Sequence, residues 1–467
     1  MADKYAVATA NWSSTDAWSL SSGGLPGAAK PQAGESVIFD ANSGNITVSL
    51  DENTASLGGL NMTGFTGTLD LLGYNCDSSG DTTIDGTFTG TGSLLCGGSL
   101  EILSGASFDI GVTTILNAST GSHILTSNSN TLGGLIIDDS GGDAVFTFAD
   151  EITCAVFIHL DGITTLSEDL SCSGFAIDGG TFDDDGNNIY AAGPITRTGG
   201  VFISSGSLTV TDNTTISGAS TSFNINHLII AADKILTPLS SFYAKKVTPT
   251  GSVAETSYTI LITGASAGWW GLQVGTVASN LRLRFPSAGT VVPGNDIRLE
   301  NKGFEIAVSG SKTFAWDGNI DLGGGELYIR DITAGSPNYA EVNMGAYSLT
   351  NASVKLGDSR PGDYQGSGKI GFGTGSHSIL SLAKGSAGNG ANEINFGSSV
   401  VACSGILNGD NITCTADTAI VIGGTLSNVD LDSGLLLYAG STDDGSNTGD
   451  ILPFSGSLNL SPSLGMN

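Results

Sequence analysis

Three ten-residue stretches, 67–76, 180–189 and 297–306, align without gaps on Gly73, Gly186 and Gly303. Four positions before each glycine stands an apolar residue (Leu69, Phe182, Leu299), followed by an acidic one (Asp70, Asp183, Glu300). Three positions after it stands Cys76, Ile189 or Ile306. The pattern reads as one strand–turn–strand unit used three times, and a repeat of this kind points to a solenoid. A second repeat begins at Gly98, Gly162 and Gly206; Ile102, Leu166 and Val210 follow at one fixed offset, Phe108, Cys172 and Ile216 at another. Leu100-Glu-Ile102 and Leu208-Thr-Val210 show the period-two alternation of a strand with one buried face. A third echo sets Leu57-Gly-Gly-Leu60 against Leu132-Gly-Gly-Leu135.

The offsets constrain the coil. From Gly162 to Gly206 is 44 residues, from Gly98 to Gly162 is 64, and from Gly73 to Gly186 is 113. Two, three and five coils of roughly 21–23 residues fit all three. The offset of 75 from Leu57 to Leu132 does not, so coil length varies. No segment carries a sustained 3.6-residue apolar period, so helices should be few. Sixty-nine glycines and only 13% charged residues would suit disorder, but 39% hydrophobic residues in regular alternation argue for a continuous core. The expected fold is all-β, an elongated right-handed parallel β-helix with an N-terminal cap and a mid-chain insertion.

Residues 1–45 read as the cap or a docking segment, because an end coil needs a cover and Trp12 and Trp18 supply large apolar rings. Residues 46–235 carry the cleanest repeat texture. Residues 236–292 change texture, with Lys245-Lys246, the pair Trp269-Trp270, and Arg282 and Arg284 on one face of an alternating strand. They read as an insertion or irregular coils. Residues 293–467 continue the solenoid to the C-terminal end.

Sixteen basic against 45 acidic residues give a net charge of −29, which disfavours nucleic acid and anionic lipid as partners. No run of 18 apolar residues reads as a membrane span, and no signal peptide is expected from the opening residues. The six cysteines form no CxxC pair, and Cys76 and Cys172 stand where sister repeats carry apolar residues, so they read as core thiols. Cys403 and Cys414 are left open as a pair across neighbouring strands.

Candidate chemistry is sparse. Asp183 and Asp185, like Asp430 and Asp432, have the i, i+2 spacing that puts two carboxylates on one face of a strand, the arrangement glycoside cleavage would use. Yet Asp183 aligns with Asp70 and Glu300, which favours a turn role. A calcium loop over 183–187 lacks the glutamate of an EF-hand. His123, His159, His227 and His377 stand apart from one another, with no HExxH motif. No catalytic residue, metal or cofactor is assigned. The best contact patch for a glycan or protein partner is Trp269, Trp270, Arg282 and Arg284, since aromatic rings stack on sugars and arginine grips carboxylates.

Asn11, Trp12, Trp18, Ser21-Ser-Gly-Gly24, Pro31 and Gly34-Glu-Ser-Val-Ile-Phe-Asp40, continued by residues 56–64 and 67–70, resemble the opening of a group of β-solenoid proteins. These recur as structural proteins of tailed bacteriophages and, more loosely, in autotransporter-like adhesins. The resemblance covers residues 10–75. It implies a virion component made in the host cytoplasm, either a tail fibre or spike or a head decoration. Other virion proteins and a host surface glycan are the implied partners, and a homo-oligomer, a trimer above others, is the implied assembly. The expected absence of a leader and of a C-terminal membrane barrel pattern favours the phage branch. A glycan- or receptor-binding adhesin and a polysaccharide-degrading β-helix enzyme are the alternatives.

Overall fold

The structure is a computed structural model. It describes residues 3–218 apart from 140 and 142, then 224–240 and 242–249. Beyond these it describes the strands Ser252–Val253, Ile260–Ile262, Leu281–Phe285, Ile297–Arg298, Phe304–Val308 and Lys312–Ala315. It further describes residues 319–331, 339–357, 367–384, 392–409, 412–423, 425–427, 429, 431–439, 442–443 and 451–453. Among these residues the only helical segment is a single 3-10 turn, Thr15–Ala17. The rest is short strands stacked in parallel: a β-solenoid.

The chain divides into two compact units, Met1–Tyr243 and Ala244–Asn467. In the first, Gly59–Asn61, Thr68–Asp70 and Cys76–Ser78 lie in three different sheets. The chain then returns to the first sheet at Thr82–Ile84 and repeats the circuit through Thr87–Thr89 and Ser93–Cys96. Register is kept from coil to coil. Leu60 pairs with Thr82 and Thr82 with Leu100. Leu69 pairs with Phe88 and Phe88 with Phe108. Cys76 pairs with Leu94 and Leu94 with Thr114.

Alternation decides which side chains turn in. Leu69, Cys76, Ile84, Phe88, Leu94 and Cys96 are fully buried, while their strand neighbours Asp70, Asp77, Thr83, Thr87 and Leu95 are more exposed. At some inward positions ring stacks on ring: Phe88 on Phe108, ring centroids 5.4 Å apart, and Phe157 on Phe175, 5.7 Å. Such pairs add to the burial of each ring because every core position is repeated one strand spacing away.

The second sheet ends at Ser107–Phe108. Longer strands of the third sheet, Thr131–Ile137, Ile152–His159 and Leu170–Ile177, then alternate with first-sheet strands such as Thr120–Thr126 and Asp143–Phe148. Leu170–Ile177 pairs with Ile189–Ala191 along its first half and with Ile195–Arg197 along its second, so short strands resume. Between residues 36 and 238 coils range from 18 residues (Cys76 to Leu94) to 25 (Leu100 to Leu125), and in the second unit register partners stand 15 (Leu436 to Ile451) to 29 (Ile320 to Leu349) apart, wider than the expected 21–23.

The repeats place this variation. Leu100, Leu125, Phe148 and Leu166 are successive partners, so Gly98 and Gly162 open strands of one sheet three coils apart. The turn at Gly73 leads from the second sheet to the third, whereas that at Gly186 leads from the first to the third. That offset is therefore no whole number of coils. What recurs is the corner, whichever two sheets it joins.

Gly73 (φ +104°) follows Leu72 (φ +49°), and Gly186 (φ +87°) follows Asp185 (φ +45°). Two consecutive left-handed residues turn the chain sharply, and glycine takes the second place without strain. Other glycines serve stacking. A Cβ on Gly92 would stand 1.8 Å from the carbonyl oxygen of Tyr74 in the coil before it. Gly92→Ala is expected to destabilise the first unit by about 2 kcal/mol, measured by chemical denaturation, because that carbonyl is backbone and must move.

The N-terminal segment closes the open end. Trp18–Ser19 runs antiparallel to Lys4–Ala6 and covers the outermost edge of the first sheet, an edge that would otherwise template aggregation. In the second unit, Glu326–Asp331, Leu349–Leu356 and Ser376–Lys384 stack in parallel. Tyr339–Asn343, Ser367–Gly371, Asn392–Asn395 and Ile412–Ile422 form another parallel run. Within residues 236–292, Ile260–Ile262 pairs in parallel with Leu281–Phe285, which pairs with Phe304–Val308. These strands therefore follow the solenoid pattern.

Candidate functional site

The sequence candidates disperse. Trp12 and Trp18 are buried, their rings edge to face with centroids 4.7 Å apart. The Trp18 indole donates to the Trp12 carbonyl at 2.8 Å, and Phe39 continues the stack 6.0 Å from Trp18. Both rings are buried within the N-terminal segment. Trp269 and Trp270 lie outside the described residues. Arg282 and Arg284 lie in the strand Leu281–Phe285, aligned with Glu305 and Ala307; their side chains are outside the described set. Asp430 lies outside the described residues, and Asp432 is exposed in Leu431–Ala439.

Asp183 and Asp185 do not share a strand face. The strand ends at Asp183, and Asp185 sits in the left-handed turn that follows. The Asp183 carboxylate accepts the Asp185 N–H at 2.9 Å. Asp70 accepts the Leu72 N–H at 3.0 Å in the same manner. Asp109 does so from Gly111 at 2.8 Å, Asp139 from Gly141 at 2.9 Å, and Asn395 from Gly397 at 2.9 Å. In each case a short acceptor closes a corner by binding the amide two residues on. Three donors, Gly111 N–H first, then the Thr89 hydroxyl and Gly90 N–H, hold Asp109 below the usual carboxylate range.

The residue that sequence reasoning passed over is Asp184. It is fully buried, and its Oδ1 accepts from Ser205 N–H (2.8 Å), Gly206 N–H (2.9 Å), the Ser205 hydroxyl (3.0 Å) and Gly186 N–H (3.1 Å). It ties its own turn to the next coil. The signal was parity: Phe182 points in and Asp183 out, so Asp184 points in. Asp150 makes a similar tie, its carboxylate accepting from Ser127 N–H at 2.9 Å across a coil.

All six cysteines are buried, and none is in a disulfide. Burial pushes the Cys96 and Cys172 thiols up to about 12, and Cys76 and Cys154 are raised likewise. Thiols held protonated are poor nucleophiles and poor metal ligands. Cys403 aligns with Ile379, and Cys414 with Ile394 and Leu431, so those two do not face each other. His123, His159 and His377 pair with backbone. His123 Nε2 lies 2.8 Å from the Thr120 carbonyl, and His159 Nδ1 lies 2.9 Å from that of Gly179. Among the described residues no group of three or more His, Cys, Asp or Glu converges on a metal-sized space, and no helix is long and apolar enough to cross a membrane.

One polar groove opens on the first sheet, lined by Asp81, Thr83, Ser99, Glu101, Ile124 and Thr126. Ile124, 52% exposed, faces outward here by alternation, next to the buried Leu125 that pairs with Leu100. Its hydroxyls and two carboxylates suit contact with a polyhydroxylated ligand. Set against family models, curated proteins and solved structures, the chain matches none.

Proposed function

We propose that the chain is a structural component of a phage particle, a β-solenoid displayed on the virion as a tail fibre, spike or head decoration. The observation that carries this reading is the use made of the acidic residues. Asp70, Asp109, Asp139, Asp183 and Asp184 hold corners and join coils. A chain whose polar side chains brace its own backbone is suited to rigidity, and its residues 10–75 resemble phage solenoid proteins. In this reading it is not an enzyme, its partners are other virion proteins, and nucleic acid and membrane are not among them.

The second reading is a glycan- or receptor-binding adhesin, favoured by the groove over Thr83, Ser99, Glu101 and Ile124. One experiment separates the two. Purified particles analysed by quantitative mass spectrometry are expected to contain this chain in fixed stoichiometry with the other virion proteins. Its absence from particles would end the virion reading. Retention of the free chain on cells alone would move the conclusion to the adhesin.

A further inference from the structure

We propose that the outer face of the third sheet in the first unit is the surface through which a second copy of this chain docks. The proposal stands apart from the virion reading. Along that face Leu95, Ile115, Ile136, Ile158 and Ala176 are successive register partners. Their strand neighbours Leu94, Leu116, Leu135 and Phe157 are buried in the core, so the ladder itself points outward. Beside it run Ser93, Thr113, Gly134, Val156 and Gly174, with Val156 41% exposed. None of these ten positions is charged, in a chain of net charge −29.

Two arguments select a second copy as the occupant. The first is charge. Copies of so acidic a chain repel one another wherever carboxylates face, so close approach requires a surface without them. The second is pitch. Side chains repeating at the ~4.8 Å strand spacing form a ridged strip, which a ladder of equal pitch fills along its whole length. Gly134 and Gly174 keep the adjoining column low and leave the aliphatic ridge prominent. A strip of five strands is ~20 Å long, below the size of permanent interfaces, so the expected association is micromolar. Asp138 and Asp178 border it and repel their counterparts, so salt should strengthen the contact.

The test is sedimentation velocity on the full chain from about 1 to about 100 µM, at low and high salt. The expected result is a monomer–dimer or higher equilibrium that tightens with salt. Ile115→Glu with Ile136→Glu should weaken it at least about 10-fold in a chain that stays folded by circular dichroism, because both side chains face outward. Ile115→Thr with Ile136→Thr, which keeps β-branched side chains, should weaken it without adding charge. A wild-type chain that stays monomeric throughout would overturn the proposal, whether or not it later binds a foreign protein. So would paired variants, folded as judged by circular dichroism, that associate as the wild type does.

Discussion

Replacing Asp184 by alanine is expected to destabilise the first unit by about 3–4 kcal/mol, whereas Asp183→Asn and Asp185→Asn should each cost under about 1 kcal/mol. The difference follows from what each carboxylate holds. Asp184 Oδ1 accepts four hydrogen bonds in a fully buried position, three from backbone amides of Gly186, Ser205 and Gly206. Removing it takes the shared acceptor from three part-buried amides at the junction of two coils and leaves a cavity where the buried carboxylate stood, so lost hydrogen bonds and lost packing add. Asparagine at 183 keeps an oxygen for the Asp185 amide, and Asp185 is exposed. Denaturant titration followed by far-ultraviolet circular dichroism measures all three variants. A catalytic role for the acidic triplet predicts the opposite ranking: Asp183→Asn would abolish an activity and Asp184→Ala would be unremarkable.

Acidification is expected to weaken the second unit between about pH 6.5 and 4, by an amount reaching about 3 kcal/mol. His377 is the cause. Burial depresses it to about 4, against an ordinary 6.5. Its Nε2 lies 2.9 Å from the Phe372 carbonyl and its Nδ1 accepts the Leu349 N–H at 3.1 Å, so the neutral tautomer with hydrogen on Nε2 is fixed by both neighbours. Above pH 6.5 folded and unfolded chains are both neutral here, and the full stability is present. Below 6.5 the unfolded chain gains a proton that the folded one refuses, so stability falls until about pH 4, where the folded form also takes the proton and the loss levels off. His159, likewise depressed by burial, shifts the first unit in the same direction. A stability profile of the His377→Asn chain should lose this limb of the second unit's transition. A second-unit transition equally sensitive to pH with and without His377 would refute the assignment.

The fold was largely legible because two signals agreed. Period-two alternation marked the strands, and glycines after an acidic residue marked the corners. Both survive in the structure at Leu69–Asp70–Gly73 and at Phe182–Asp183–Gly186. Which sheet a corner serves was not legible, because the turn at Gly73 and that at Gly186 use the same local chemistry to join different sheets. Whole-coil arithmetic therefore succeeded for Gly98 and Gly162 and failed for Gly73 and Gly186, and it failed too for Gly162 and Gly206, whose strands lie in the first and third sheets. Asp184 was hidden for a related reason. Its partners Ser205 and Gly206 lie a coil later in the chain, and no local motif announces a tie whose other half is set by stacking. The outward aliphatic ladder was hidden too, since Leu95, Ile115, Ile136 and Ile158 form a line only once register is known.

If the acidic side chains serve to brace coils, the amides they hold must be protected. Residue-resolved hydrogen exchange on the intact chain tests this most directly. The account predicts that the amides of Ser205 and Gly206, bound to Asp184, and of Ala144, bound to Asp139, exchange as slowly as the strand amides of Leu208 and Phe146. Exchange of those three amides at the rate of open loops, with the strands still protected, would contradict it.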